Sequence, residues 1–319
     1  LSHSLHEDTG FLNKHKKNIG LKLAAIDIGS NAVRLLICNV LQKKNKKVSL
    51  NKELLVRAPI RLGEQSFLDG EIFENKIVLL SKACSAFKNL MEIYGVEHFK
   101  TFATSAMREA KNHDQIVDRI KAETGVEIDV VPGKKEAEII YFAFSDLLSN
   151  QMHDTFLNID VGGGSTEFVI FHNGKVVENR SFKIGTLRVL NGIVKDSSWG
   201  KMKEWLEKIS AEYDNIYGLG SGGNIVKIHK LFFDNINEAI LPKTLKEIKE
   251  ELDSFTVRER MINYDIKSDR ADVIAPAAEI FTKILEWGKI KRLFVPKIGL
   301  SDGIIREVYN DYLRKKGEM

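Results

Sequence analysis

The sequence predicts an α/β chain built from two related halves, and three observations lead to that expectation. Strand-like and helix-like patterns alternate along the chain rather than falling into separate blocks. Two segments, "IDIGSNAVRLLI" (26–37) and "IDVGGGSTEFVI" (159–170), align without a gap, placing Asp27 on Asp160, Gly29 on Gly162 and Arg34 on Glu167. Each is followed, within its own half, by a further strand that ends in small residues, "FATSAMR" (102–108) and "GLGSGGN" (218–224).

A chain of 319 residues is long enough for two cores. The expected division is a flexible leader over 1–20, an N-terminal domain over 21–145 and a C-terminal domain over 146–319. The boundary falls near residues 143–153, and the last helix is expected to pack back on the first domain. The leader has no apolar h-region and carries acidic residues, so it does not read as a signal peptide.

Taken in order, "KLAAIDIGSNAVRLLICNVL" (22–41) reads as two strands around a Gly-Ser-Asn turn, and "KKVSLNKELLVRAPIRLG" (46–63) extends the strand character. "EIFENKIVLLSKACSAFKNLMEIYG" (71–95) spaces its apolar residues as a helix does and stops at Gly95. "HFKTFATSAMREA" runs from strand into loop, "HDQIVDRIKAETG" is a helix and "VEIDVV" a strand. Pro132-Gly133 then opens the helix "KKEAEIIYFAFSDLLSN". In the second half, "FLNIDVGGGSTEFVIFHNGKVVENRSFKIG" (156–185) is a strand meander, followed by helix to about residue 211. "NIYGLGSGGN" (215–224) runs from strand into a glycine turn, and a helix-rich tail completes the chain.

The charge balance excludes several classes of function. A net charge of +4 is too small to imply a nucleic-acid partner. The lysines of "NKHKKN" (13–18) and "QKKNKK" (42–47) read as a solvated tail and a hairpin tip. Cys38 and Cys84 each lie in an apolar segment, as reduced, buried thiols do, and no disulfide framework or zinc site is indicated. No apolar run approaches the ~18–20 residues that cross a bilayer, so a cytoplasmic protein without membrane partners is expected.

The chemistry sits in the loops. An anion-binding loop needs several backbone N–H groups pointing one way, with no Cβ atoms in the approach path. "DIGSN", with Gly29, Ser30 and Asn31, and "DVGGGST", with Gly162, Gly163, Gly164 and Ser165, both meet that need, and their hydroxyls add donors. Neither is a Walker A loop or a dinucleotide fingerprint, because the next element reads as a strand. Asp27 and Asp160 close apolar strands, where an unpaired carboxylate is costly. Magnesium suits such positions, since it uses one or two carboxylates and completes its shell with water and phosphate oxygens. Glu167, across the hairpin from Asp160, would join that shell. The competing reading of all three acids is that they cap loop N–H groups.

Six segments together resemble the successive motifs of the exopolyphosphatase and guanosine pentaphosphate phosphohydrolase family: "AAIDIGSNAVRLLI", "ATSAMREAKN", "VVPGKKEAEIIY", "NIDVGGGSTEFVIF", "GLGSGGNIVKI" and "SDRADVIAPAAEIF". They occur in the family's order over about residues 22–308. The resemblance implies two ribonuclease-H-like domains of the actin, Hsp70 and sugar-kinase superfamily facing an interdomain cleft. It also implies magnesium-dependent release of the terminal phosphate from polyphosphate or pppGpp, and it leaves a homodimer open. Ending at Met319, the chain resembles the family's short two-domain type.

Carried over by resemblance, Glu136 falls on the family's general base, and Arg108 falls on an arginine suited to a bidentate grip on a phosphoryl group. At the start of a helix, Glu136 is expected to stay ionised near neutral pH. Thr104 and Ser105 would add hydroxyls. Asp160, Gly162, Gly163, Gly164, Ser165 and Glu167 fall on the phosphate and metal loop, and Gly220, Ser221, Gly222 and Gly223 form a second glycine turn at the phosphates. Lys135 stands where the family usually has an acid and Glu138 where it has arginine. Pro132 replaces a more usual lead-in, and Ser301-Asp302 replaces Arg-Glu. The expected mechanism holds the terminal phosphoryl group between the two glycine loops, with magnesium on Asp160 and either Asp27 or Glu167. Glu136 then orients or deprotonates water. The rival expectations are an ATP-binding, kinase-like relative and a non-catalytic nucleotide or polyphosphate sensor.

Overall fold

A computed structural model describes residues 20–42, 48–148 and 155–317. The expected leader, apart from Gly20, and the lysines of 13–18 therefore lie outside the described residues, as do the lysines of 43–47 and residues 149–154 of the expected boundary.

Both halves form the same five-stranded sheet. In the first, β1 (Leu21–Ile28), β2 (Val33–Gln42) and β3 (Val48–Ala58) make an antiparallel meander, while β4 (His98–Ala103) and β5 (Asp129–Val130) add in parallel on the other side of β1. The strand order is β3-β2-β1-β4-β5. In the second, β6 (Thr155–Val161), β7 (Thr166–His172) and β8 (Lys175–Phe182) repeat the meander, and β9 (Ile216–Ser221) and β10 (Leu293–Phe294) run parallel to β6. The order β10-β9-β6-β7-β8 is the first sheet read with its own numbering, the ribonuclease-H-like arrangement in both cases.

Period-two patterning explains why β1 and β6 are central. Ala24, Ile26 and Ile28 face a core shared with the helix Glu74–Tyr94, while Leu23 and Ala25 face the opposite core. In β6, Leu157, Ile159 and Val161 face one core and Phe156 the other. A strand with apolar residues on both faces has no solvent side and must be covered twice.

The helices, numbered along the chain, are α1 (Leu62–Leu68), α2 (Glu74–Tyr94), α3 (Ser105–Glu109), α4 (His113–Thr124), α5 (Gly133–Leu148), α6 (Thr186–Leu190), α7 (Asp196–Glu212), α8 (Gly223–Phe232), α9 (Pro242–Ser254), α10 (Val257–Tyr264), α11 (Ser268–Ala271), α12 (Ile274–Trp287) and α13 (Leu300–Lys316). α5 and α13 fill the layer between the sheets: Ile139, Ile140 and Phe144 of one meet Ile304, Ile305 and Val308 of the other, with Leu36 and Phe102 on one side and Val169 and Phe171 on the other. α13 also packs on β1, β2 and β4. Gly95, at φ 67°, ends α2 as expected. Both cysteines are buried and free, and burial pushes their thiols up to about 12.

Two local expectations are corrected and a third is extended. The segment 46–63 does not remain strand to its end, because β3 stops at Ala58 and α1 begins at Leu62. The loop after β4 is the short helix α3, and the glycine turn after β9 opens α8 at Gly223. The apolar patterns of α1 and α3 are too short to declare a helix.

Candidate active site

The two hairpins bring four acidic or basic side chains to the mouth of a cleft of about 500 Å³. Asp27 and Arg34 are cross-strand partners, and so are Asp160 and Glu167. The sequence repeat therefore becomes a spatial one with opposite electrostatics. In the first hairpin Arg34 Nη1 donates to Asp27 Oδ2 at 2.7 Å, giving a neutral pair. In the second, two carboxylates face each other, with Glu167 at the place that Arg34 holds in the first.

Each glycine loop is held from behind by a short helix. The Ser30 and Asn31 carbonyls accept from Gly63 and Arg61 at the start of α1, at 2.9 and 3.0 Å. The Gly162 and Gly163 carbonyls accept from Thr186 and Leu187 at the start of α6, both at 2.9 Å, and Arg188 Nε donates to the Gly164 carbonyl at 2.8 Å. The Gly162 N–H donates to the Ser165 carbonyl at 2.9 Å, so with its carbonyls tied on one side the second loop leaves the N–H groups of Gly163 and Ser165 toward the cleft.

The tips of the two loops touch. A Cβ on Gly163 would lie 2.9 Å from the Ser30 Cβ, so only glycine permits this approach. The expected seat for a phosphoryl group directly between the loops is therefore corrected: closest approach fills that space, and the open volume lies beside the contact. Ser30 Oγ lies 2.8 Å from Ser105 Oγ, which ties the first loop to the start of α3. Thr104, the residue before α3, directs its hydroxyl to the Ile28 carbonyl at 3.4 Å.

Gly29, Ser30, Asn31, Thr104, Ser105, Gly162, Gly163, Ser165, Gly222, Gly223, Asp27, Glu136, Asp160 and Glu167 all line the cleft. Arg108, Gly164, Gly220 and Ser221 do not. Gly164 is covered by the Phe67 ring, and Gly220 faces Ile225 and Leu293 in the sheet. The Ser221 hydroxyl turns inward to Asn158 at 3.3 Å and also supports Asp160. Gly222 adopts φ 97°, and a Cβ there would lie 2.8 Å from Asp160 Oδ1, so this turn needs glycine on both counts.

Arg108 takes a different place from the one the resemblance implies. Its Nη1 donates to the Val131 carbonyl at 2.7 Å and lies 3.4 Å from Glu136 Oε2. It thereby braces the lead-in to α5 and the Glu136 carboxylate, and it does not reach the cleft wall. Lys135 points away from the cleft and pairs at 3.3 Å with Glu307 of α13, which Lys100 also holds at 2.8 Å. Glu138 is exposed.

The helix-start argument for Glu136 meets an opposing effect. Burial lifts its carboxyl well above the ordinary value, and nearby Glu167, Asp160 and Asp27 add to the lift, while Arg108 opposes it. The helix N-terminus is outweighed by desolvation and like charge. Burial likewise pushes Glu167 up to about 7, against hydrogen bonds from Ser165 and Ser181 to its Oε1. Asp160 rises to about 6, through burial and Asp27, against Arg34 and Ser221.

Among the described residues no three acidic, imidazole or thiol groups converge to cage a metal ion. The donor chemistry nonetheless fits magnesium: the hard carboxylate oxygens of Asp160 and Glu167, held at raised proton affinity by burial and by neighbouring acids, would be relieved by a divalent cation that keeps its own waters. Asp160 is the best placed of them, because Asp27 already has Arg34.

The sequence did not single out the cationic side of the cleft, where Arg34, Arg57 and Arg270 line the wall. Arg57 on β3 pairs with Asp269, and Arg61 Nη1 with Asp272 at 2.8 Å, so both cross from the first half to the second. Burial, with repulsion from Arg57 and Arg34, holds Arg270 down to about 10. Of the cleft-lining residues, Asn31 Oδ1, Arg57 Nε and Thr186 Oγ1 are buried without hydrogen-bond partners among the described residues. No spacing signal marks such residues, since β3, α6 and α11 lie far apart in sequence.

The Ppx/GppA phosphatase family model matches residues 39–311. The guanosine-5'-triphosphate,3'-diphosphate pyrophosphatase of Photobacterium profundum is 25% identical over 301 residues, covering 89% of this chain and 59% of that protein. A putative exopolyphosphatase of Haemophilus influenzae is 23% identical over 314 residues, covering 94% of each. The crystal structure of the Aquifex aeolicus Ppx/GppA family member superposes with a TM-score of 0.70 at 27% identity, over 91% of this chain and 98% of that one. The chain spans only about half the length of several curated relatives it matches, 44% and 56% in two cases. No described helix is long and apolar enough to cross a membrane.

Proposed function

The chain belongs to the Ppx/GppA phosphatase family, and on that premise we propose that it is a magnesium-dependent phosphohydrolase that releases the terminal phosphate of inorganic polyphosphate, of pppGpp, or of both. The observation that carries this reading is one cleft in which Glu136 shares a wall with two glycine loops and with Asp27, Asp160 and Glu167. The names of the relatives, an exopolyphosphatase and a guanosine pentaphosphate pyrophosphatase, support the choice of substrates.

In this mechanism the N–H groups of Gly163 and Ser165 receive the terminal phosphoryl group beside the loop contact, with Ser30 and Asn31 closing the other side. Magnesium, when bound on Asp160 with Asp27 or Glu167, would offset charge on the phosphate oxygens. Arg108 fixes the Glu136 carboxylate, which takes a proton from water aligned with the scissile bond. The raised proton affinity of Glu136 suits a base, because a carboxylate at the usual acidic value accepts protons poorly near neutrality. Gly222 brings α8 close to Asp160 and keeps that carboxylate facing the cleft. The chemistry is positioning and electrostatics, with no covalent intermediate required.

Phosphate release from polyphosphate, tripolyphosphate, pppGpp and ATP, with magnesium and with chelator, tests the proposal. Activity toward the first three that depends on magnesium and is lost in Glu136→Gln is expected. Wild-type rates in Glu136→Gln would refute the assignment of the base. Binding without turnover would return the protein to a sensor.

A further inference from the structure

A trans peptide unit points its C=O and its N–H in opposite directions, so whatever holds a loop carbonyl also aims the N–H of the next residue. In the second glycine loop the Gly162 and Gly163 carbonyls are held by main-chain donors, the N–H groups of Thr186 and Leu187, both at 2.9 Å. The Gly164 carbonyl is held by a side chain instead, Arg188 Nε from α6 at 2.8 Å. That single bond therefore governs where the Ser165 N–H points. The Gly162 N–H is taken by the Ser165 carbonyl, whereas the Ser165 N–H enters none of the loop's own hydrogen bonds. The internal repeat sharpens the contrast. Asn31, the counterpart of Gly164 in the first loop, gives its carbonyl to the main-chain N–H of Arg61 at 3.0 Å.

Arg188 is itself held on three sides. Only 8% exposed, its guanidinium persists there because its donors and its charge are met. Nη2 donates to Glu109 Oε2 of α3 at 2.7 Å, and the guanidinium carbon lies 4.2 Å from the centroid of the Phe67 ring of α1. Both partners come from the first half of the chain. Glu109 follows Arg108, which lies 3.4 Å from the Glu136 carboxylate, and α1 ties the Ser30 carbonyl through the Gly63 N–H. One planar group thus touches the second loop, the helix that braces Glu136 and the helix that ties the first loop. A lysine has one nitrogen and no flat face, so it cannot meet all three at once.

We propose that Arg188 is a positioning residue of the phosphohydrolase site: by holding the Gly164 carbonyl it aims the Ser165 N–H at the phosphoryl group, and Glu109 and Phe67 keep it from turning away. Arg188 touches neither substrate nor water and acts through the Gly164–Ser165 peptide. A donor fixed in advance counts most where charge builds on the phosphoryl oxygens, so its loss falls on kcat more than on KM. The assignment rests on the phosphohydrolase reading of the cleft.

The test measures kcat and KM for inorganic tripolyphosphate with magnesium in the wild type, Arg188→Met, Arg188→Lys and Glu109→Gln, each well below its melting temperature. Arg188→Met should lower kcat by about 10²-fold, the scale of one lost oxyanion donor, with KM little changed. Arg188→Lys keeps a donor for one of the two acceptors and should lose about tenfold. Glu109→Gln leaves the Gly164 bond in place and should lose least. Wild-type kcat in either Arg188 variant overturns the proposal. So does a loss in Glu109→Gln equal to that in Arg188→Met, since docking of the halves would then be the cause. A second measurement needs no turnover: with serine labelled by ¹⁵N, the Ser165 amide resonance is followed as inorganic phosphate is added. It should move in the wild type and lose that response in Arg188→Met. No response in the wild type, or the same response in both, overturns the proposal. Where Arg188→Met does not fold, Arg188→Lys carries both comparisons. A wild type that hydrolyses no phosphoanhydride defeats the phosphohydrolase reading by itself, and the amide titration still decides the role of Arg188.

Discussion

Replacing Asp160 by asparagine should make the metal-free protein more stable while disabling it. Burial and Asp27 raise the Asp160 carboxyl from 3.8 to about 6. A gap of roughly two units at about 1.4 kcal/mol each is about 3 kcal/mol. Because the folded value lies above the unfolded one, proton binding favours the fold. That contribution is fully present below the unfolded value and is lost as pH rises through about 6. Asp160 keeps an opening onto the cleft, where water softens the penalty, so the figure is an upper limit. Asparagine carries no charge to desolvate. In chelator at pH 8, Asp160→Asn should melt a few degrees above the wild type, at about 2–4 °C per kcal/mol. At pH 4 the two curves should converge, and added magnesium should raise the wild type alone. Thermal melts followed by circular dichroism at both pH values decide the matter. A lower melting temperature for the variant at pH 8, or an offset that does not depend on pH, would refute the reasoning.

Four further outcomes follow from the same geometry. Glu136→Gln should lower phosphate release by about 10²–10⁴ at unchanged fold, read by a phosphate assay beside a melt. Activity should fall as pH drops through the raised Glu136 titration, and Arg108→Met, which removes the cation opposing that rise, should move the acid limb of the kcat profile to higher pH. Gly163→Ala places a methyl 2.9 Å from Ser30 and 3.2 Å from Leu187. Overpacking of this kind costs about 1–3 kcal/mol and should raise KM by spreading the loops, as a melt and steady-state kinetics would show. Lys135→Ala should cost no more than about 1 kcal/mol, because Lys135 is partly exposed and Lys100 still holds Glu307, and phosphate release should persist.

Much of the frame was legible in the sequence because it rests on local rules. Alternating apolar residues mark β1 and β6 as central strands, and the gapless alignment of 26–37 with 159–170 appears in space as two hairpins with Asp27 opposite Arg34 and Asp160 opposite Glu167. Gly95 and Pro132-Gly133 fix helix ends through backbone preference alone. Short elements such as α1, α3 and β10 were not legible, since each is too brief to show a period and forms only because a neighbour covers it.

The sequence by itself determined the repeated α/β frame, the two glycine loops and the presence of acidic residues at their entry, since turn chemistry and apolar periodicity act over a few residues. Only the tertiary structure decided what those residues do to one another. It turned Arg108 toward Glu136, set Lys135 on Glu307, brought Gly163 against Ser30, and gathered Arg34, Arg57 and Arg270 on one wall. It also raised the proton affinity of Glu136, because the cost of burying a charge depends on every group that surrounds it, and Arg108, Asp160, Glu167 and the distant Asp27 come from separate strands and helices.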